Sequence, residues 1–207
     1  MPGRVPVVIS GAVEGLLDEA ILKRLIIHAG ARPGQIYGKK GKAHILGKLG
    51  GYNQAAQFAR WAVLVDLDQD EDCPPPILRK WMPLPSRNMC FRIVVREIEA
   101  WLFADRERLA HFLVVSKSLI PADPEAVPSP KGTLAQVAQR SRRREIREDI
   151  APRPGSGRQV GPSYSSRLIQ FVDDNVSGWR PEIAEQSSES LARCIRCLRR
   201  IATQQIR

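Results

Sequence analysis

The sequence predicts an α/β fold: a central, mostly parallel sheet flanked by helices, followed by a helical, basic C-terminal extension. Three observations carry this. Strand-like and helix-like segments alternate over residues 1–115, as successive βα units do. The clearest apolar run, Trp61-Ala62-Val63-Leu64-Val65, is short and unalternating, the signature of a buried strand, and it ends at Asp66. Past residue 115 the composition turns to Pro and Arg. The expected domains are therefore a core over 1–115 and, over 116–207, a mainly helical extension packed on it.

Taken in order, Val5 to Val13 is rich in β-branched residues and reads as a strand, closed by Glu14-Gly15. Leu16 to Ala29 has apolar residues at Leu17, Ile21 and Leu25 with Leu22 and Ile26 beside them. That is helical spacing, with Asp18 and Glu19 in the first turn where they suit the helix dipole. Gly30 and Pro33 stop it. Gly34 to Lys48 reads as a strand with a mobile basic loop, and Tyr52 to Arg60 as a short helix. After the strand Trp61 to Val65 come Pro74-Pro75-Pro76, a helix over Ile77 to Met82, a strand over Phe91 to Val95 and a helix over Glu97 to Val114.

In the second half, Pro121, Pro124, Pro128 and Pro130 impose turns. Thr133 to Asp149 is a polar, arginine-loaded helix, Pro152 to Pro162 a loop, and Tyr164 to Asp173 and Ser190 to Ile206 are closing helices. No repeat or low-complexity tract interrupts the chain.

The chain has 207 residues, with 32 Lys and Arg against 22 Asp and Glu, a formal charge of +10. Such a surplus attracts polyanions, nucleic acid ahead of lipid. No apolar run reaches the ~20 residues that span a bilayer, and the first residues lack a signal peptide's apolar stretch. The four cysteines are too few for a disulfide scaffold, so a cytoplasmic chain with reduced thiols and no membrane partner is expected. Cys194-x-x-Cys197 is a lone pair, with Cys73 and Cys90 far away, whereas structural zinc takes four organised ligands. His28, His44 and His111 support no histidine-centred triad, and no phosphate-binding Gly-x-x-x-x-Gly-Lys motif occurs.

Ligands of parallel α/β sheets bind beyond the carboxyl ends of the strands. Glu14 follows the first strand, and Asp66-Leu67-Asp68 follows the strongest. Hard carboxylate oxygens of this kind suit Mg²⁺, which takes one or two carboxylates with waters and substrate phosphate. The bland alternative is a solvated acidic turn. Against it, five carboxylates between Asp66 and Asp72 repel one another unless a cation joins them.

Val13-Glu14-Gly15-Leu16-Leu17-Asp18-Glu19 followed by Val63-Leu64-Val65-Asp66-Leu67-Asp68 resembles the Toprim pattern. That pattern is a Glu after one strand and an Asp-x-Asp after a later one. Arg96-Glu97-Ile98-Glu99-Ala100-Trp101-Leu102-Phe103-Ala104-Asp105 and Pro130-Lys131 extend the likeness to bacterial Toprim-like proteins of the DUF4276 group, related to OLD-family nucleases. The resemblance implies a Toprim/Rossmann-like core, with Glu14, Asp66 and Asp68 as catalytic ligands of Mg²⁺ (or Mn²⁺) and Asp70 in support. It further implies phosphodiester cleavage of DNA or RNA, the effector role in a prokaryotic anti-phage defence or toxin system, and a separate ATPase of the ABC/AAA type as partner. If two ions bind, Glu99 completes the second site. Lys131 is a candidate catalytic, charge-stabilising lysine.

Other residues divide between site and scaffold. Asp105 falls within the apolar stripe of its helix, where a carboxylate must be paired or hydrogen-bonded, and it reads as structural: a cap for a neighbouring turn or the partner of an arginine. Glu97 and Glu99 lie on opposite edges of that stripe. Lys39, Lys40 and Lys42, with His44 among glycines, form a candidate phosphate-binding loop or else a solvated one. Arg140, Arg142, Arg143, Arg144 and Arg147 are a candidate backbone-tracking patch for nucleic acid. Arg193, Arg196, Arg199 and Arg200 form a second stripe, and either cluster could instead dock an acidic protein. Two readings compete with the nuclease: a non-catalytic Toprim-like module that binds nucleic acid or a partner, and a haloacid-dehalogenase-type phosphatase. The latter's Asp-x-Asp follows its first strand; here the motif follows a later one.

Overall fold

A computed structural model describes residues 7–68 and 74–204. The chain divides into two compact units, Met1–Val94 with Ala192–Arg207, and Val95–Leu191.

The first unit is built on four parallel strands, β1 (Val8–Val13), β2 (Arg32–Gly38), β3 (Arg60–Asp66) and β4 (Met89–Val94), in the order β2-β1-β3-β4. Helices α1 (Leu16–His28), α2 (Lys42–Ala55) and α3 (Pro74–Trp81) join them. The expected mostly parallel sheet flanked by helices is present, in a Rossmann-like arrangement. In the first strand, Val5 lies outside the described residues. From β1 the chain passes to β2 on one side, then returns to β3 on the other. The strand order therefore reverses between β1 and β3, and in such sheets the splayed chain at that point opens a crevice beyond the strand ends.

Pairing of Gly11 with Ala62 and of Ala62 with Cys90 puts these three on one face. Gly11 has no room for a side chain there, because a Cβ would sit 2.7 Å from the Leu22 side chain of α1 and 2.8 Å from the Ala62 carbonyl. On the opposite face, Ala12, Val63, Val65, Phe91 and Ile93 pack with Ile45, Leu49 and Tyr52 of α2 and with Ile77 of α3. Each fully buried aliphatic side chain of this kind contributes about 1.5–3 kcal/mol of transfer free energy.

Two expectations need correction here. The strand expected within Gly34 to Lys48 is present as the end of β2, but the loop after it is shorter than expected: Lys42 to Lys48 already belongs to α2, which extends to Ala55 in place of the short helix expected over Tyr52 to Arg60. Gly47, Gly50 and Gly51 weaken its propensity, but Ile45, Leu49 and Tyr52 recur at helical spacing and bury against the sheet, so packing overrides propensity. The cysteines also differ. The last helix, α10 (Glu189–Thr203), begins in the second unit and ends in the first, where Cys194 and Cys197 adjoin Cys90. All three are free and buried. Burial holds the Cys90 thiol far above the usual range, and the neighbouring Cys90 does the same to Cys197. Cys73 lies outside the described residues. α10 is also tied to the sheet by Arg60, whose Nε donates to the Ile201 carbonyl at 2.7 Å, and by Arg200, which donates to the carbonyls of Arg87 and Met89.

The second unit is helical: α4 (Glu99–Phe103), α5 (Arg106–Leu113), a 3₁₀ turn at Lys117–Leu119, α6 (Pro130–Gln139), α7 (Arg144–Ile150), α8 (Tyr164–Asp173) and α9 (Pro181–Ala184). Two helices expected to be continuous are broken. Glu97 to Val114 divides at Asp105, whose carboxylate accepts from the Arg108 N–H and caps α5. Thr133 to Asp149 divides at 140–143, where the Ser141 hydroxyl accepts from the Arg143 N–H and the Ser141 carbonyl from Arg147. Trp101 and Trp179 are fully buried at the centre. The Trp101 indole donates to Ser190 Oγ and the Trp179 indole to the Trp101 carbonyl, so both polar edges are satisfied. Among the described residues no helix is long and apolar enough to cross a membrane.

Candidate functional site

Glu14 directly follows β1, and Asp66 ends β3, the neighbouring strand. Both lie at the carboxyl edge, where the strand order reverses. The Glu14 carboxylate accepts the Asp66 backbone N–H at 2.8 Å, joining the two strand ends across 52 residues of sequence. Asp68 follows in the left-handed conformation (φ 52°), a geometry that aspartate tolerates better than most residues and that turns the chain sharply as it leaves the strand. Asp18, in the first turn of α1, is buried beside this group. Its carboxylate and that of Asp68 both act on Glu14. Burial, the largest influence, pushes the Glu14 carboxyl up to about 7; the Asp66 N–H and Lys42 oppose that rise and Asp18 and Asp68 add to it.

The loop from β2 to α2 brings a cation to the same edge. Gly38 (φ 93°) lies so close to β1 that a Cβ would fall 2.3 Å from the Val13 carbonyl, a position only glycine can fill. The Lys39 N–H then donates to the Val13 carbonyl at 2.8 Å and the Gly41 N–H to the Glu14 carbonyl at 3.1 Å. The loop is thus stitched across the end of β1, and the first residue of α2, Lys42, meets Asp68 in an ion pair. Lys42 Nζ also approaches the Leu67 carbonyl at 3.4 Å. Lys39 turns elsewhere, pairing with Glu19 at 3.0 Å, while Lys40 is exposed.

The structure therefore brings together Glu14, Asp66, Asp68 and Lys42. It adds Asp18, whose position in a first helical turn had a sufficient explanation in the dipole and carried no further signal. Asp70 lies outside the described residues. Among the described residues, no three of His, Cys, Asp or Glu are arranged to hold a metal ion. The donor chemistry nonetheless suits Mg²⁺, since hard oxygens from adjacent strand ends are what one or two carboxylate ligands require.

Glu99 and Lys131 belong to the second unit, which has a polar cluster of its own. Glu99 is 5% exposed and accepts the Tyr164 hydroxyl at 3.0 Å. Burial raises its carboxyl to about 7, with Lys131 drawing it down. Lys131 Nζ stands 5.9 Å over the Tyr164 ring, and its backbone N–H donates to Glu97 at 2.8 Å. Tyr164 was unmarked in sequence, because only folding of α8 against α4 and α6 reveals its hydroxyl's acceptor.

Asp105, 1% exposed, receives both the backbone and the guanidinium of Arg180, at 2.8 to 3.1 Å. It is cap and ion-pair partner at once, as its place in an apolar stripe requires. Arg140, Arg142, Arg143 and Arg144 are exposed around the turn between α6 and α7; Arg144 pairs with Glu148, and Arg147 is taken up by Ser141.

In comparison with known proteins, no family model, no curated protein and no solved structure matches the chain.

Proposed function

We propose that the protein is a cytoplasmic, metal-dependent nuclease with a Toprim-like core, cleaving phosphodiester bonds of DNA or RNA. The observation that carries this reading is the Glu14 carboxylate docked on the Asp66 N–H, at the carboxyl ends of adjacent strands and at the reversal of strand order. Glu14, Asp66 and Asp68 would hold Mg²⁺ or Mn²⁺, with Asp70 in support. The ion supplies charge stabilisation at the phosphoryl oxygens and a more acidic water. The remaining work falls to the chain. The Asp66 N–H orients Glu14, Lys42 balances Asp68, and exposed arginines of a +10 protein hold the phosphate backbone. The resemblance adds a role as the effector of a prokaryotic anti-phage or toxin system and a separate ATPase as partner.

A second reading, a non-catalytic module that binds nucleic acid or a protein, is favoured by the Lys42–Asp68 pair, which neutralises one carboxylate without a metal. Incubation with plasmid, single-stranded DNA and RNA in Mg²⁺, Mn²⁺ or EDTA separates them. Metal-dependent cleavage lost in Asp66→Asn supports the nuclease. Binding without cleavage under every metal, with the ATPase supplied, leaves the module.

A further inference from the structure

Within the helical unit, α5, the turn between α6 and α7, and the end of α8 enclose a cavity of about 370 Å³. Phe112 of α5 and Phe171 of α8 line it and stack on each other, with ring centroids 4.8 Å apart. Phe171 is buried, whereas Phe112 keeps part of its ring exposed. His111, Arg143 and Gln170 also line the cavity and are exposed. Val114 joins them in the left-handed conformation (φ 53°), which is costly for a β-branched residue. Its carbonyl accepts the Arg142 N–H at 3.2 Å, and this bond holds the arginine-bearing turn beside the cavity. Among the described residues neither Arg142 nor Arg143 makes an ion pair.

Two features select the ligand. The aromatic wall favours a flat ring, because π-faces pack well by offset stacking. The second feature is Asp174, which also lines the cavity. Its carboxylate accepts the Ser177 hydroxyl and the N–H groups of Ser177 and Val176, and these bonds hold its carboxyl down at about 2. The ionised Asp174 disfavours an anion inside the cavity, while the exposed Arg142 and Arg143 attract one at its margin. A neutral aromatic ring joined to outlying anionic groups is the layout of a nucleotide unit. The amide N–H groups of Gln170 and the ring nitrogens of His111 suit the polar edge of such a base. We propose that this cavity takes an unpaired nucleobase of a single strand, stacked on Phe112, while Arg142 and Arg143 hold the neighbouring phosphates. A duplex keeps its bases inside the helical stack, so single strands are preferred. The inference rests on the nucleic-acid reading above and adds a base-binding subsite to it.

The test measures binding of the full chain to a short oligothymidylate by fluorescence anisotropy at low salt. An abasic oligomer of the same length carries the same phosphates without the bases. The oligothymidylate is expected to bind about tenfold more tightly, the share that one stacked base contributes. Phe112→Leu, which keeps an apolar group against Phe171, should remove that preference and leave the abasic affinity unchanged. A second measurement needs no variant: a strand carrying 5-iodouracil is irradiated on the parent protein, and the crosslinked peptide is identified by mass spectrometry. The crosslink is expected at His111 or Phe112. Equal affinity for the two oligomers would overturn the base subsite and leave phosphate binding by the arginines standing. Binding of neither oligomer would remove the nucleic-acid reading and the subsite together. A preference that persists in folded Phe112→Leu, or crosslinks confined to other elements, would also overturn the proposal.

Discussion

The side chain of Glu14 clamps the backbone of Asp66: one carboxylate oxygen of the residue leaving β1 accepts the N–H at the end of β3, at 2.8 Å. Because the donor is backbone, Asp66→Asn leaves the clamp in place and removes only a charge from the acidic edge, where Asp18 and Asp68 already raise the Glu14 carboxyl. The substitution is expected to raise stability by about 1 kcal/mol, as relief of like-charge repulsion does. It should abolish metal-dependent cleavage, and Mg²⁺ should stabilise the parent protein more than the variant. A folded Asp66→Asn protein cleaving at the parental rate would show that the chemistry lies elsewhere.

In the proposed metal site, Lys42 and a divalent cation would compete for Asp68. The ion pair is partly exposed, so removing it by Lys42→Gln should cost only about 0–1 kcal/mol of stability. The same change should tighten Mg²⁺ binding a few-fold, measurable by calorimetry. Weaker Mg²⁺ binding would instead assign Lys42 to organising the site.

Asp105 and Glu107 both meet Arg180, at 2.8 and 2.7 Å, but Asp105 is buried and Glu107 is 70% exposed. Their costs should differ accordingly. Asp105→Ala removes the buried half of that pairing and uncaps α5, a loss of about 2–4 kcal/mol. Glu107→Ala, at a solvent-exposed partner, should cost far less. Chemical denaturation of the two variants gives the comparison, and equal losses would contradict it.

Glu99 titrates near about 7 in the folded chain against an ordinary 4.5, because burial disfavours its carboxylate. Between those values the folded chain binds more protons than the unfolded one, so this contribution falls as pH rises from about 4.5 and levels off above about 7. Glu14, raised in the same way, acts with the same sign. Glu99→Gln keeps an acceptor for Tyr164 and removes the charge. It should flatten the decline in melting temperature between pH 5 and 8 and leave the variant the more stable at pH 8. An unaltered profile would exclude a proton-linked Glu99.

Arg140, Arg142 and Arg143 are exposed around one turn. Their joint replacement by Ala should weaken nucleic-acid binding regardless of sequence and reduce the salt dependence by about one unit of slope per lost phosphate contact. An unchanged slope points to a protein partner for that surface.

β1 and β3 were legible because they are short apolar runs closed by acidic residues; Trp61 to Val65 lies within β3, and Tyr164–Asp173 is the helix expected. α2 was hidden by Gly47, Gly50 and Gly51, although Ile45, Leu49 and Tyr52 carried its spacing. The break at Asp105 was readable as a cap, but the apolar residues on either side kept one stripe running through it. Contacts that depend on distant returns of the chain left no local mark: Cys90 with α10 and Glu99 with Tyr164; at Asp105 the apolar stripe marked the need for a partner without saying that it is Arg180. The Glu14 and Asp66 edge stood out because polar groups immediately after buried strands have few structural reasons to be there.

The passage of α10 from the second unit back to the first has a consequence for the order in which the protein can be made. The sheet unit is discontinuous: its last helix is translated only after the whole of Val95–Leu191. During synthesis, Arg60, Cys90 and the Met89 carbonyl therefore wait for partners that lie more than a hundred residues downstream. A nascent chain released before Ala192 would carry every strand of the sheet and the whole acidic edge, yet leave the face around Cys90 uncovered. Such fragments are expected to be held by chaperones or to aggregate.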